Sequence, residues 1–146
     1  VPIKNPSAVS QRQLDEWVSA GRVRYFGFTE DVRPLIANAD VVVLPSFREG
    51  TPKTLLEAAA MGKPLIATDV PGCREVVMHG ENGLLCEARS SDSLAAAMRA
   101  MLAMTSLQRQ QMGLRGRSLV EAKFDERIVH ARYIDAIAEI LPAGTS

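Results

Sequence analysis

The sequence predicts an α/β protein built on a doubly wound parallel sheet. Three observations carry that prediction. Short, mainly apolar runs stand at Val41–Leu44, Leu65–Thr68 and Leu84–Cys86. Segments with helical periodicity and capping residues lie between them, and the two kinds alternate with no internal repeat. A run such as Val41–Leu44 shows no polar alternation, which suits a parallel strand covered on both faces better than one with a wet side. Val23–Phe26 is a fourth strand candidate. With 146 residues there is room for one domain, spanning residues 1–146, that buries about 70% of the surface its unfolded chain would expose.

Taken in order, Val1 to Ser10 reads as a loop. Ser10 then caps a helix from Gln11 to Ala20, in which Leu14, Trp17 and Val18 fall on one side and which Gly21 ends. Beyond Val23–Phe26, Gly27 and Phe28 leave the strand at its carboxyl end, and Asp31 begins a short helix through Ala39. Pro45 and Ser46 stop the central strand Val41–Leu44, and Phe47 to Thr51 form a loop with Glu49 and Gly50 at its apex. Pro52 stands where a first helical residue belongs, having no N–H to lose. The helix runs to Met61, Gly62 ends it as a left-handed cap, and Lys63-Pro64 turns the chain into Leu65–Thr68.

After Asp69-Val70-Pro71-Gly72 comes a short helix carrying Arg74, Glu75 and Val77, with Gly72 placed to let the backbone approach another group closely. Gly80–Gly83 is a turn. Asp92 caps a helix from Ser93 to about Met104, whose Leu94, Ala97, Met98, Met101 and Leu102 form one core-facing stripe. A helix from Ser106 to Lys123 follows. Asp125 opens a last one with Ile128, Ile134, Ile137 and Leu141 available for packing, and Pro142–Ser146 frays.

In strand-helix-strand units of this kind ligands collect outside the carboxyl ends of the strands, where loop meets helix N-terminus. Unpaired N–H groups and the positive end of the helix dipole favour phosphate there. Lys53 in the first helical turn opposes that dipole by roughly 0.3–1 kcal/mol unless an anion sits beside it. A solvated Lys53 paired with Glu57, four residues on, is the plainer account, although the favoured order puts the acid first.

Composition excludes several classes. Seventeen basic and seventeen acidic residues leave no global field to draw nucleic acid. A basic excess from Arg99 to Arg132 reads as a solvated helix face, with an anionic membrane surface as the alternative. Cys73 and Cys86, like His79 and His130, have no metal-ligand spacing, so no metal is expected. No apolar segment reaches the 18 or more residues that span a bilayer, and the opening Val-Pro-Ile-Lys resembles no signal peptide. The expected location is cytoplasmic, peripheral at most to the inner membrane face.

The run Glu49-Gly50-Thr51-Pro52, then Glu57-Ala58, then Gly62-Lys63-Pro64-Leu65-Ile66-Ala67-Thr68 resembles the signature of retaining, nucleotide-sugar-dependent glycosyltransferases of family 4. The likeness continues through Val70-Pro71-Gly72-Cys73-Arg74-Glu75 and Gly80-Glu81-Asn82-Gly83-Leu84-Leu85, and covers nearly the whole chain. It implies the Rossmann-like C-terminal, donor-binding half of a GT-B glycosyltransferase. It also implies a chain truncated before two strands that would separate Val23–Phe26 from Val41–Leu44, together with the basic residues that grip diphosphate. Its partners would be a nucleotide sugar, the N-terminal GT-B domain and a lipid-diphosphate acceptor, with no cofactor beyond a UDP-sugar donor.

By the same resemblance Glu49 accepts hydrogen bonds from the donor sugar's hydroxyls and Glu57 from the ribose. Backbone N–H groups of Gly50, Thr51, Lys53, Thr54 and Leu55 meet phosphate oxygens, Gly27, Phe28 and Thr29 border the base, and Gly72 lines the diphosphate side. The reaction implied is retaining transfer, with UDP-hexosamine as preferred donor, to a lipid-linked or polysaccharide acceptor in bacterial capsule or O-antigen assembly. No residue stands out as a general base, and the fragment alone is expected to be inactive. A glycosidase with Glu49 and Glu57 as acid and nucleophile is disfavoured, because those acids must flank a scissile bond and be tuned apart. A UDP-sugar epimerase of the same architecture and a noncatalytic α/β nucleotide-binding module are the remaining alternatives.

Overall fold

The structure is a computed structural model that describes residues 9–46 and 50–124. The chain divides into two compact units, Val1–Asp31 and Val32–Ser146. The first contains helix α1, Gln11–Ser19, opened as its sequence requires by Ser10, whose side chain accepts from the Gln13 N–H. Val23–Phe26 does not form the expected strand. A β-run gains its hydrogen bonds from a neighbour, and among the described residues no strand pairs with it. Tyr25 and Phe26 are accordingly exposed, and Arg24 lies over the Phe26 ring with its guanidinium carbon 5.3 Å from the centroid.

The second unit holds the sheet. Its elements are α2 (Arg33–Ala37), β1 (Val42–Leu44), α3 (Lys53–Ala60), β2 (Leu65–Thr68), α4 (Pro71–Arg74), β3 (Gly83–Cys86), α5 (Ser91–Ala103) and α6 (Ser106–Phe124). The strands lie in the order β1-β2-β3, all parallel, with Val42 opposite Leu65 and Leu65 opposite Gly83. Side chains alternate across this sheet and both faces are covered. Leu65 and Ala67 of β2 join Leu55, Ala58 and Ala59 of α3 in one cluster. Ile66 and Cys86 point the other way, against Ala97 and Met101 of α5. Helix α6 closes both layers, contributing Val120 to the first and Met112 to the second.

The helix ends differ from the expected ones where capping chemistry competes. Ser90, not Asp92, caps α5, its hydroxyl accepting from Ser93 N–H at 3.1 Å, and Asp92 sits inside the first turn, where it favours the helix dipole. The predicted stripe on α5 is narrower than its periodicity suggests. Ala97 and Met101 are buried, whereas Met98 and Leu102 are exposed. Pro52 is the N-cap of α3 rather than its first helical residue. Gly62, at φ +73, leaves α3 in the left-handed region as expected.

Two contacts fix α3 against its neighbours. The Lys63 ammonium donates to the Ala37 carbonyl at 3.1 Å, tying the end of α3 to α2. At Gly113 the α6 backbone comes so close that a Cβ there would overlap the Gly62 carbonyl oxygen. The turn before β3 is held by Asn82, fully buried, whose Nδ2 donates to Val76 O at 2.8 Å and whose Oδ1 accepts from Met78 N–H at 2.7 Å. No described helix is long and apolar enough to cross a membrane. The expected helix after Asp125 lies outside the described residues.

Candidate functional site

Because β1 and β2 are parallel, the loop leaving β1 and the loop leaving β2 emerge on the same edge of the sheet. The first loop delivers the chain to α3. Pro52, at φ −75 and ψ 120, makes the turn into the helix but offers no side-chain cap. The first donor within the helix is Leu56 N–H, which reaches Pro52 O at 3.1 Å. The amides of Lys53, Thr54 and Leu55 therefore have no acceptor inside the helix, and they face the carboxyl edge with the positive end of the helix dipole behind them.

The side chains around those amides are sorted by helical position. Leu55 is wholly buried in the core, so only its backbone is available to a ligand. Gly50, Thr51, Lys53 and Thr54 are exposed. Glu57, one turn further in, is 29% exposed and stands 3.8 Å from the Lys53 ammonium, which is 89% exposed. An exposed pair at that distance contributes a few tenths of a kcal/mol, too little to explain a cation at a helix N-terminus. A half-buried carboxylate one turn behind a set of free N–H groups can accept hydroxyl hydrogen bonds while the amides hold an adjoining anion.

The residues expected at the site are partly brought together. Gly50, Thr51, Lys53, Thr54, Leu55 and Glu57 share one loop-helix element. Gly72, buried in the second position of α4, follows β2 on the same edge. Glu49 lies outside the described residues. Gly27, Phe28 and Thr29 belong to the first unit. There Gly27 has φ +70, Phe28 is exposed, and the Thr29 hydroxyl donates to Asp31 O at 2.9 Å and accepts from Asp31 N–H at 3.2 Å.

The carboxyl edge also carries polar groups that the motifs did not single out. Asp69, directly after β2, accepts from Arg74 Nε at 2.7 Å, and its own N–H donates to Cys86 O at 2.7 Å. Beside it a cleft of about 390 Å³ is lined by Pro45, Thr68, Cys86, Glu87 and the start of α5. Burial pushes the Cys86 thiol above its ordinary pKa, partly countered by hydrogen bonds from its own backbone and from the Thr68 side chain. The signal for these residues was positional: Asp69 and Glu87 are each the first residue after a strand. Among the described residues no group of three or more His, Cys, Asp or Glu is arranged to hold a metal ion.

With that geometry in view, comparisons with known proteins bear on the site. The family model described as "Glycosyl transferases group 1" matches residues 4–104. The chain is 32% identical over 132 residues to N,N'-diacetylbacillosaminyl-diphospho-undecaprenol alpha-1,3-N-acetylgalactosaminyltransferase of Campylobacter jejuni, a match covering 90% of this chain and 33% of that protein. Sucrose-phosphate synthase from Thermosynechococcus elongatus superimposes with a TM-score of 0.80 at 27% identity, over 88% of this chain and 34% of that one. Anabaena Alr3699/HepE, in complex with UDP, gives a TM-score of 0.79 at 24% identity over 88% of this chain and 35% of the other, a likeness that bears on the fold alone. The chain spans about a third of the length of the curated relatives it matches.

Proposed function

We propose a donor-binding role from the premise that this chain belongs to the group 1 glycosyl transferase family. In this reading it is the part of a retaining glycosyltransferase that holds a nucleoside-diphosphate sugar, and UDP-hexosamine is the donor. The observation that carries the proposal is the start of α3 at the carboxyl edge of a parallel sheet. Three amides there lack helix acceptors, and the Glu57 carboxylate lies one turn behind them. The diphosphate meets the amides of Lys53, Thr54 and Leu55, with Gly50 and Thr51 on its approach, and the ribose hydroxyls donate to Glu57.

The chemistry asked of these residues is orientation of the donor and stabilisation of charge on the departing diphosphate. N–H groups fixed by a helix are already aimed when the bond to the sugar breaks, so no reorganisation is needed at that moment. Glu49 completes the set by accepting from the sugar hydroxyls, and Gly72 lines the diphosphate side. No cofactor beyond the donor is required. The acceptor is a lipid-linked diphosphate or a growing polysaccharide in surface-glycan assembly, reached from the cytoplasmic face of the membrane with a further GT-B domain supplying the other wall of the cleft. The undecaprenol acceptor named for the Campylobacter relative supports this choice.

Calorimetric titration of the chain with UDP tests the reading; UDP is the probe because HepE, which shares the fold, holds it. Hydrogen bonds to a charged group are each worth about 1.5–3 kcal/mol, so Glu57→Ala should weaken UDP roughly tenfold to a hundredfold. It should leave inorganic diphosphate nearly unaffected, since the ribose contact alone is lost. Equal affinity of the wild type and Glu57→Ala for UDP would remove Glu57 from the donor site.

A further inference from the structure

We propose that the cleft of about 390 Å³ at the carboxyl ends of β2 and β3 binds a neutral sugar ring, at a place separate from the nucleotide. None of its lining residues belongs to the Gly50–Glu57 element, so the inference stands independently of the donor reading. Thr68 and Cys86 form its floor where two strands end, and Ser90 and Ser91 form the wall where α5 begins. Its volume falls in the range of small-molecule sites, and its position is the one at which parallel sheets take ligands.

The lining decides the class of ligand. Glu87 and Arg89 face the same space with opposite charge, so neither a bare anion nor a bare cation meets a favourable net field. A sugar hydroxyl both donates and accepts, and is matched by a carboxylate that only accepts, a guanidinium that only donates and serine hydroxyls that do both. The Ser90 hydroxyl already accepts from Ser93 N–H, which leaves its own hydrogen to donate. Pro45 and Leu94 supply apolar surface for the C–H face of a ring.

Arg89 adds a second line of support. At φ 60 it is the only non-glycine described residue in the left-handed region, a conformation that glycine would adopt without strain. Backbone strain of this sort concentrates where a side chain is kept for what it contacts. It also supplies a useful variant. Arg89→Gly removes the guanidinium and the backbone strain together, and unfolding measured alongside binding separates a lost contact from a lost fold.

The test is amide chemical-shift mapping of this chain with D-glucose, N-acetylglucosamine and, separately, inorganic phosphate, repeated in saturating UDP. A ligand of about a dozen heavy atoms in an open cleft should bind with a dissociation constant on the order of millimolar. The expected result is saturable movement of Thr68 and Glu87–Ser91 with at least one sugar, persisting under UDP. Arg89→Gly should weaken it several-fold while the amide spectrum remains that of the folded chain, and Glu57→Ala should leave it unchanged. Shifts caused by phosphate but by neither sugar would overturn the assignment. So would sugar shifts confined to Gly50–Glu57, or no shifts at all. Failure of the donor reading looks different, because it would appear as UDP affinity indifferent to Glu57→Ala.

Discussion

Replacing Gly113 by alanine isolates the contact that seats α3. In a helix interior alanine is favoured over glycine by about 0.8–1 kcal/mol, so both Gly113→Ala and Gly116→Ala begin with the same gain. They differ in what the new methyl meets. At Gly113 it overlaps the carbonyl oxygen of Gly62 and lies 2.7 Å from its carbon, both backbone atoms that cannot rotate aside. At Gly116 the nearest atom is the Asn82 Cβ, 3.1 Å away, which can yield by a few tenths of an ångström. Overpacking costs about 1–3 kcal/mol, and backbone against backbone belongs at the upper end. Gly113→Ala should therefore lose about 2 kcal/mol net, while Gly116→Ala stays within about 0.5 kcal/mol of wild type. Thermal unfolding followed by circular dichroism would read the difference as roughly 4–8 °C in Tm, at about 2–4 °C per kcal/mol for a chain of this size. A Gly113→Ala protein as stable as Gly116→Ala would refute the claim that α6 and the end of α3 meet backbone to backbone.

Three further predictions rest on separate observations. Asn82→Ala strands the Val76 carbonyl and the Met78 N–H, and with about 1–3 kcal/mol for each orphaned group urea unfolding should report a loss of about 2–6 kcal/mol. Lys53→Met should leave stability unchanged or raise it by up to about 1 kcal/mol, because the lost ion pair is exposed and the helix dipole no longer faces a cation. The same variant should bind UDP several-fold more weakly in calorimetry, whereas tighter binding would argue against an anion at that turn. Cys86, buried and with its thiol pKa raised, should react slowly with iodoacetamide in the folded chain and quickly in urea. Its folded pKa lies above the unfolded value, so its contribution to stability is full below the ordinary thiol pKa and is lost as pH rises through the raised one. A stability rising with pH across that window would contradict the direction of the shift.

The order of elements in the sheet-bearing half follows from local chemistry along the chain. Val41–Leu44, Leu65–Thr68 and Leu84–Cys86 are short and mainly apolar, as strands covered on both faces are, and Pro52, Gly62 and Ser10 mark chain turns by chemistry local to a few residues. For the same reason the loop-helix element from Gly50 to Glu57 was legible: its spacing is set within one turn of helix.

What local pattern does not hold is the identity of neighbours. Val23–Phe26 reads as a strand in composition, yet a strand exists only against another, and none of the described residues supplies one. Met98 and Leu102 fall on the same helical stripe as Met101, but which of them is buried depends on how α5 lies against β2 and β3. The roles of Gly113 and Asn82 are equally invisible in one dimension, because a glycine that permits close approach and an asparagine that satisfies one backbone carbonyl and one backbone N–H look like surface residues until the chain returns to them. The cleft beside Arg89 belongs to this second class. Three segments far apart in sequence make it, and only parallel pairing of β1, β2 and β3 sets their ends side by side.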